Sequence, residues 1–317
     1  MKKIKLYKKS YFDNVVIITG THCSGKSMLS PIVSSLTNVE HIRKILTVDQ
    51  IIQLASIKKI DNVTAAYLVK QLLDKNFYEQ LIGRNTNLRP EDETSVFLAK
   101  NTNELMKRIL IKRGPHIIEK HKKKTIFAMD THDAVMFFDV WKIVNKKFKF
   151  INIYRNPIDT VASWFKHGMG RLEKILINEL TMFVDRNYVF PFYQLHNYNK
   201  YKRTSEVDKI INMVLYCMTK EYKNYKKYKY YKNLLFLNFE DFAENTYSNI
   251  KKINLFINTT KSKFTDEIVK RENCPRVIDN DRYLENFKKI KSLSSREKFK
   301  ELVDFEKLYS KRKRNIL

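Results

Sequence analysis

The chain has 317 residues, with 61 Lys and Arg against 34 Asp and Glu and a formal net charge of +27. Hydrophobic residues make up 43% and aromatics 13%, with six Gly and six Pro. This excludes a disordered, collagen-like or low-complexity chain, because high charge brings disorder only where apolar content is low. The charge leaves nucleic acid, a membrane surface or an anionic small molecule open as partners. Lys outnumbers Arg 46 to 15, a bias that an AT-rich genome also produces.

The basic N-terminus is followed by an apolar run, Val15 to Ile18, that is too short for a signal peptide. Nowhere do 18 consecutive apolar residues occur. Three scattered cysteines, Cys23, Cys217 and Cys274, form neither a disulfide framework nor a CxxC zinc pair. These features predict a cytoplasmic protein with no metal site. In chain order, strands are expected at 15–19, 125–129 ending at Asp130, 148–154 and 234–239, each a near-continuous apolar segment suited to a sheet covered on both faces. Helical patterns cover 63–77, 97–111 and 207–228. The alternation predicts an α/β fold, a three-layer P-loop-type domain with a central mostly parallel sheet. One domain is expected over 1–317, with a mostly helical insertion at about 171–230.

The first strand runs into Gly20-Thr21-His22-Cys23-Ser24-Gly25-Lys26-Ser27, which fits the G-x-x-x-x-G-K-[ST] spacing and precedes a helical run from Met28 to Leu36. Glycines let the backbone approach an anion, and the N–H groups of a helix N-terminus supply partial positive charge. Lys26 adds a full charge and Ser27 a hydroxyl. Which anion is held stays open: a kinase would place Mg²⁺ between Ser27 and an aspartate such as Asp130.

A second loop follows the 148–154 strand. Arg155 closes it at the end where open α/β sheets bind ligands. Asn156 is placed to cap the next helix, Pro157 takes its first position and Asp159 stands where a capping-box acid would. Ser163 lies about two turns on, so Arg155 and Ser163 could bracket a second anion.

The strand–R-N-P-x-D-x-x-x-S–helix pattern, together with S-G-x-[ST]-x-L in the first loop, resembles the sulfotransferase superfamily. The resemblance extends to Leu235–Phe242, with its aromatic-Glu-Asp-apolar turn, and to the closing helix in 293–309, where Ser294 or Ser295 is a plausible N-cap. It implies 3′-phosphoadenosine 5′-phosphosulfate (PAPS) as the sulfuryl donor. His22, Cys23, Ser24, Gly25, Lys26, Ser27 and Met28 would line the phosphosulfate, and Arg155 with Ser163 would hold the 3′-phosphate. The acceptor would be a hydroxyl or an amine, including carbohydrate hydroxyls. The family commonly carries Lys or Arg before the S-G and Thr or Ser after it. Here Cys23 and Lys26 hold those places, which keeps a P-loop kinase using ATP and Mg²⁺ as the alternative.

A base is expected at a strand end facing the first loop, and Asp130-Thr131-His132-Asp133 meets that description. His132 is the first choice, since imidazole titrates near neutrality. Asp130 or Asp133 would orient it or replace it, and Lys26 would balance charge at the reacting group. His22 is a weaker candidate. Arg276 reads as a solvated loop arginine. The Tyr- and Lys-rich segment 221–232 admits single-stranded nucleic-acid binding. Tyr222, Tyr225 and Tyr228 at helical spacing instead predict a packed stripe.

Overall fold

The computed structural model describes residues 10–171 and 180–314. Its strands are β1 (Val15–Thr19), β2 (Arg43–Lys44), β3 (Phe127–Asp130), β4 (Lys149–Tyr154), β5 (Met182–Asp185), β6 (Tyr188–Pro191) and β7 (Leu234–Asn238). The first helices are α1 (Lys26–Ser35), α2 (Leu46–Ser56), α3 (Asn62–Leu81), α4 (Thr102–Lys107), α5 (Pro115–His121), α6 (Phe138–Val144) and α7 (Pro157–Lys166). They are followed by α8 (Tyr198–Tyr201), α9 (Glu206–Tyr228), α10 (Phe239–Glu244), α11 (Thr246–Ile257), α12 (Thr265–Arg271), α13 (Asn280–Leu293) and α14 (Arg296–Arg314).

Five strands form a parallel sheet in the order β2-β3-β1-β4-β7. The β-branched run of β1 explains its central place. Val15 and Ile17 enter one apolar cluster, with α2, α3, α6, α7 and α9, while Val16 and Ile18 enter the other, with α1, α11 and α12. A strand buried on both faces needs apolar side chains at every position. The result is the expected three-layer α/β arrangement. Because β3 and β4 flank β1 on opposite sides, the strand order reverses beside β1, and such sheets open a crevice at the C-terminal end of that strand.

One expectation is corrected, and two further features were not in the sequence pattern. The pattern 97–111 is not one helix: it breaks into a 3₁₀ turn at Val96–Leu98, α4, and a second 3₁₀ turn at Arg108–Leu110. Asn101 caps α4 by accepting from the Glu104 N–H, which starts a new helix inside the apolar pattern. The described residues of the expected insertion near 171–230, which leave out 172–179, carry the β5–β6 hairpin beside the helices α8 and α9; in the hairpin Phe183 pairs with Phe190 across a turn where Arg186 takes φ 53°. Strand β2 is too short and too charged to leave a pattern, and it forms only by pairing with β3.

The two ends of the resemblance meet at the β4 and β7 strand ends. Asn156 caps α7 through Ile158 and Asp159, as expected. Asp159, however, does not return the capping-box bond. Its carboxylate accepts from Asn286 on α13, and the Asn156 N–H goes to Glu240 at 3.0 Å. Glu240 also takes Asn238 and the Tyr309 hydroxyl of the closing helix. Ser295 is the N-cap of α14, accepting from the Lys298 N–H.

Candidate active site

The first loop is shaped by two glycines that no other residue can replace without displacement. Gly25 has φ 105°, and a Cβ there would overlap the Phe239 ring; a Cβ on Gly20 would overlap the Ile153 carbonyl oxygen. Gly25 caps α1 without a side-chain hydrogen bond, which leaves the first-turn N–H groups of Lys26, Ser27 and Met28 without intrahelical partners. Lys26 is buried, with Nζ 3.0 Å from the Gly20 carbonyl and 3.2 Å from that of Thr21. The Ser24 hydroxyl is buried and unpartnered, so a polar donor waits inside the loop. Met28 offers only its backbone: its side chain packs in the core with Cys274.

Arg155 reaches back from β4 to this loop. Its Nη1 donates to the Cys23 carbonyl at 3.2 Å, and its guanidinium lies 4.7 Å over the Phe239 ring. It makes no ion pair among the described residues, and its Nε is buried without a partner. Arg276 lies 5.9 Å from the same Phe239 ring, half-buried rather than solvated. Its guanidinium is fixed by the Glu272 and Asn273 carbonyls. Ser163 lies half-buried on α7, its hydroxyl without a protein partner among the described residues. The adjacent Trp164 ties this helix to the first loop by donating Nε1–H to the His22 carbonyl at 2.8 Å.

The β3 end supplies the titratable cluster. His132 Nδ1 and its backbone N both lie 3.2 Å from Asp49 Oδ2, and Thr131 donates to the other oxygen. This network assigns the proton to Nδ1 and leaves the Nε2 lone pair unused by protein groups. The His132 ring stacks on that of His22, with centroids 3.6 Å apart. Burial holds both imidazoles well below their usual range, helped for each by the Lys26 and Lys44 charges. Burial also pushes Asp49 up to about 7, against the hydrogen bonds of Thr131 and His132. His132 is therefore a neutral imidazole at neutral pH, oriented by a carboxyl group, as a general base requires.

Neither expected aspartate orients His132. Asp130 accepts from Ser30 at 2.9 Å, and Asp133 from Thr21 at 3.0 Å and Tyr193 at 2.8 Å. Burial raises each to about 6, opposed by these hydrogen bonds and Lys26. The orienting residue is Asp49 of α2, which no sequence motif marks. Its only sequence signal is an acid at helical spacing with Ile52 and Gln53, all three buried. Lys44 at the end of β2 was missed for the same reason as its strand. The kinase arrangement finds no support in the donor set, since Ser30 rather than Ser27 faces Asp130 and Ser27 is exposed. No group of three metal-ligating side chains occurs among the described residues.

The tyrosine stripe of α9 is packed: Tyr222 stacks on Tyr225, Tyr225 meets Phe236, and Tyr228 meets Phe138. No helix among the described residues is long and apolar enough to cross a membrane.

A sequence model of the sulfotransferase domain matches residues 13–315. Among solved structures, the chain is similar to a sulfotransferase from Alicyclobacillus acidocaldarius, at 13% identity over 91% of this chain and 95% of that one, with a TM-score of 0.40. It is also similar to the sulfotransferase domain from the curacin biosynthetic pathway, at 8% identity, 80% and 76% coverage and a TM-score of 0.43. A third is retinol dehydratase in complex with androsterone and inactive cofactor PAP, at 14% identity, 92% and 70% coverage and a TM-score of 0.35. No curated protein matches in sequence.

Proposed function

The chain belongs to the sulfotransferase domain family, and from that premise we propose that it transfers a sulfuryl group from PAPS to a hydroxyl or amine acceptor, carbohydrates included. The observation that carries this reading is the pairing of two cation-bearing loops at neighbouring strand ends: Arg155 is hydrogen-bonded to the first loop yet has no anionic partner among the described residues. A donor with phosphate groups at both ends suits that pairing. The buried, unpartnered Ser24 hydroxyl and Arg155 Nε, with the cradle that a Cβ at Gly20 or Gly25 would fill, fit such a group.

Ser24, Gly25, Lys26, Ser27 and the Met28 backbone N–H would hold the phosphosulfate, with His22 and Cys23 lining the loop. Arg155 and Ser163 would hold the 3′-phosphate, with Arg276 beside them across Phe239. PAPS, when bound, supplies a sulfuryl group already activated by its phosphate anhydride. His132 accepts the acceptor proton at Nε2, while Asp49 keeps Nδ1 protonated and stabilises the imidazolium that forms. Lys26 counters the negative charge that builds on the oxygens held by the loop. None of these roles calls on a metal ion. The three free thiols suit a reducing cytoplasm, and the packed tyrosine stripe argues against a nucleic-acid partner.

Thermal unfolding tests the donor. Adenosine 3′,5′-bisphosphate should stabilise the protein by about 2.7 kcal/mol at a hundredfold excess over Kd, with ATP–Mg²⁺ giving less. Stabilisation by ATP–Mg²⁺ alone would overturn the assignment and restore the kinase reading.

A further inference from the structure

The end of the sheet opposite the first loop, where the chain enters β2 and β3, holds a polar cavity. It has a volume of about 450 Å³, within the range that holds small ligands. Helix α1 links the two places, with its N-terminus at the first loop and Ser34 lining the cavity about 12 Å along the axis. The rest of the wall comes from the Asn38–His41 segment, from Lys100 and α4, and from the α5 end through Thr125.

The charges there are unevenly matched. Four cations line the cavity, Lys100, Arg108, Lys120 and Lys124, against two carboxylates, Glu40 and Glu104. Arg108 uses both: it grips Glu40 at 2.8 and 3.0 Å and reaches Glu104 at 3.4 Å. Lys100 is held differently. Its Nζ donates to the Leu36 carbonyl at 2.6 Å and the Val39 carbonyl at 2.7 Å, and it has no carboxylate partner among the described residues. An ammonium has three donors, so one N–H remains. Lys120 and Lys124 are exposed and make no ion pair among the described residues. Burial holds His41 and His121 below their usual range, so they add no further cation to the lining.

An independent observation points into the same space. The Ser34 side chain is 5% exposed, and its hydroxyl is buried with no partner. An unmade hydrogen bond at a buried hydroxyl costs about 1–3 kcal/mol, which a bound acceptor oxygen would relieve. The geometry points to this cavity as a second binding site for a small ligand with at least two negative charges on phosphate or sulfate oxygens, contacted by Ser34, Lys100, Lys120 and Lys124. This site is separate from the first loop and does not depend on the proposed transfer reaction.

Calorimetric titration with inorganic pyrophosphate, and in parallel with inorganic sulfate, tests the site on the full chain saturated with adenosine 3′,5′-bisphosphate. One saturable site per chain is expected for at least one of the two probes. It should weaken at least tenfold in the double variant K120Q/K124Q, whose exposed side chains the fold does not use. Ser34→Ala should weaken it several-fold. If the bisphosphate itself fails to bind, the site count still decides, because the double variant should lose one pyrophosphate site while Arg155→Ala keeps that site. Absence of a saturable site, or equal affinity in wild type and K120Q/K124Q, would overturn the inference.

Discussion

The first loop and the imidazole cluster beside it face the same crevice but are assembled in opposite ways. The loop is a run of consecutive residues, and its donors are mostly backbone N–H groups aimed by two glycines. The cluster joins side chains from separate segments, with Asp49 and His132 lying 83 residues apart. A local anion cradle needs only a strand, a turn and a helix, so its geometry is written in spacing. A buried base needs a distant partner to set its tautomer, and no local pattern specifies that partner.

The largest effect should come from the cluster. His132→Ala is expected to lower kcat by about 10²–10⁴-fold while leaving bisphosphate affinity nearly unchanged. Wild-type turnover in that variant would move the base elsewhere. The loop's counterpart is Gly20→Ala, where a Cβ would overlap the Ile153 backbone at a φ of 152°. It should destabilise the fold on the order of 3 kcal/mol, measured by urea unfolding. A near-neutral result would mean that the loop is more pliable than its glycines imply.

Arg155→Ala tests the junction between the two regions. Loss of its charged hydrogen bonds should cost about 1.5–3 kcal/mol of bisphosphate affinity, with a smaller change in kcat. Asp49→Asn should lower kcat about tenfold and alter the pH profile, whereas a purely structural Asp49 would leave that profile in place. The stability signature has a definite sign. Burial raises Asp49 to about 7, so the folded state binds its proton more tightly than the unfolded chain. Wild type should therefore lose stability relative to Asp49→Asn as pH rises from about 4 through about 7, and stay level above that. Equal pH slopes in the two proteins would show that Asp49 is not raised. At the small end, replacing Lys226 and Lys229 with Gln should change stability by less than about 0.5 kcal/mol. Single-stranded DNA should leave the melting temperature unmoved in both proteins.

The sheet was largely legible because β1, β3, β4 and β7 are apolar on both faces, and only a parallel sheet between helical layers makes use of that. Strand β2 and the α4 region were not, because a two-residue strand and a capped break carry no period. Within the site, Ser24, Gly25, Lys26 and Arg155 stand at positions their own neighbours dictate. The exchange at α7 is hidden from the sequence: Asp159 stands at the capping-box position, but Glu240 arrives from the first turn of α10 and takes the bond. Arg276 likewise reads as a solvated arginine in sequence, whereas the fold sets it against the Phe239 ring that also carries Arg155.

The sequence alone determined the layers, the glycine-framed first loop and the arginine at the end of β4, since each follows from periodicity or from a contiguous motif. Tertiary structure alone decided which carboxyl group holds His132, which ring supports Arg155 and that Ser34 lines a polar cavity. Those depend on residues far apart in the chain, brought within hydrogen-bonding range only when both faces of the sheet are covered.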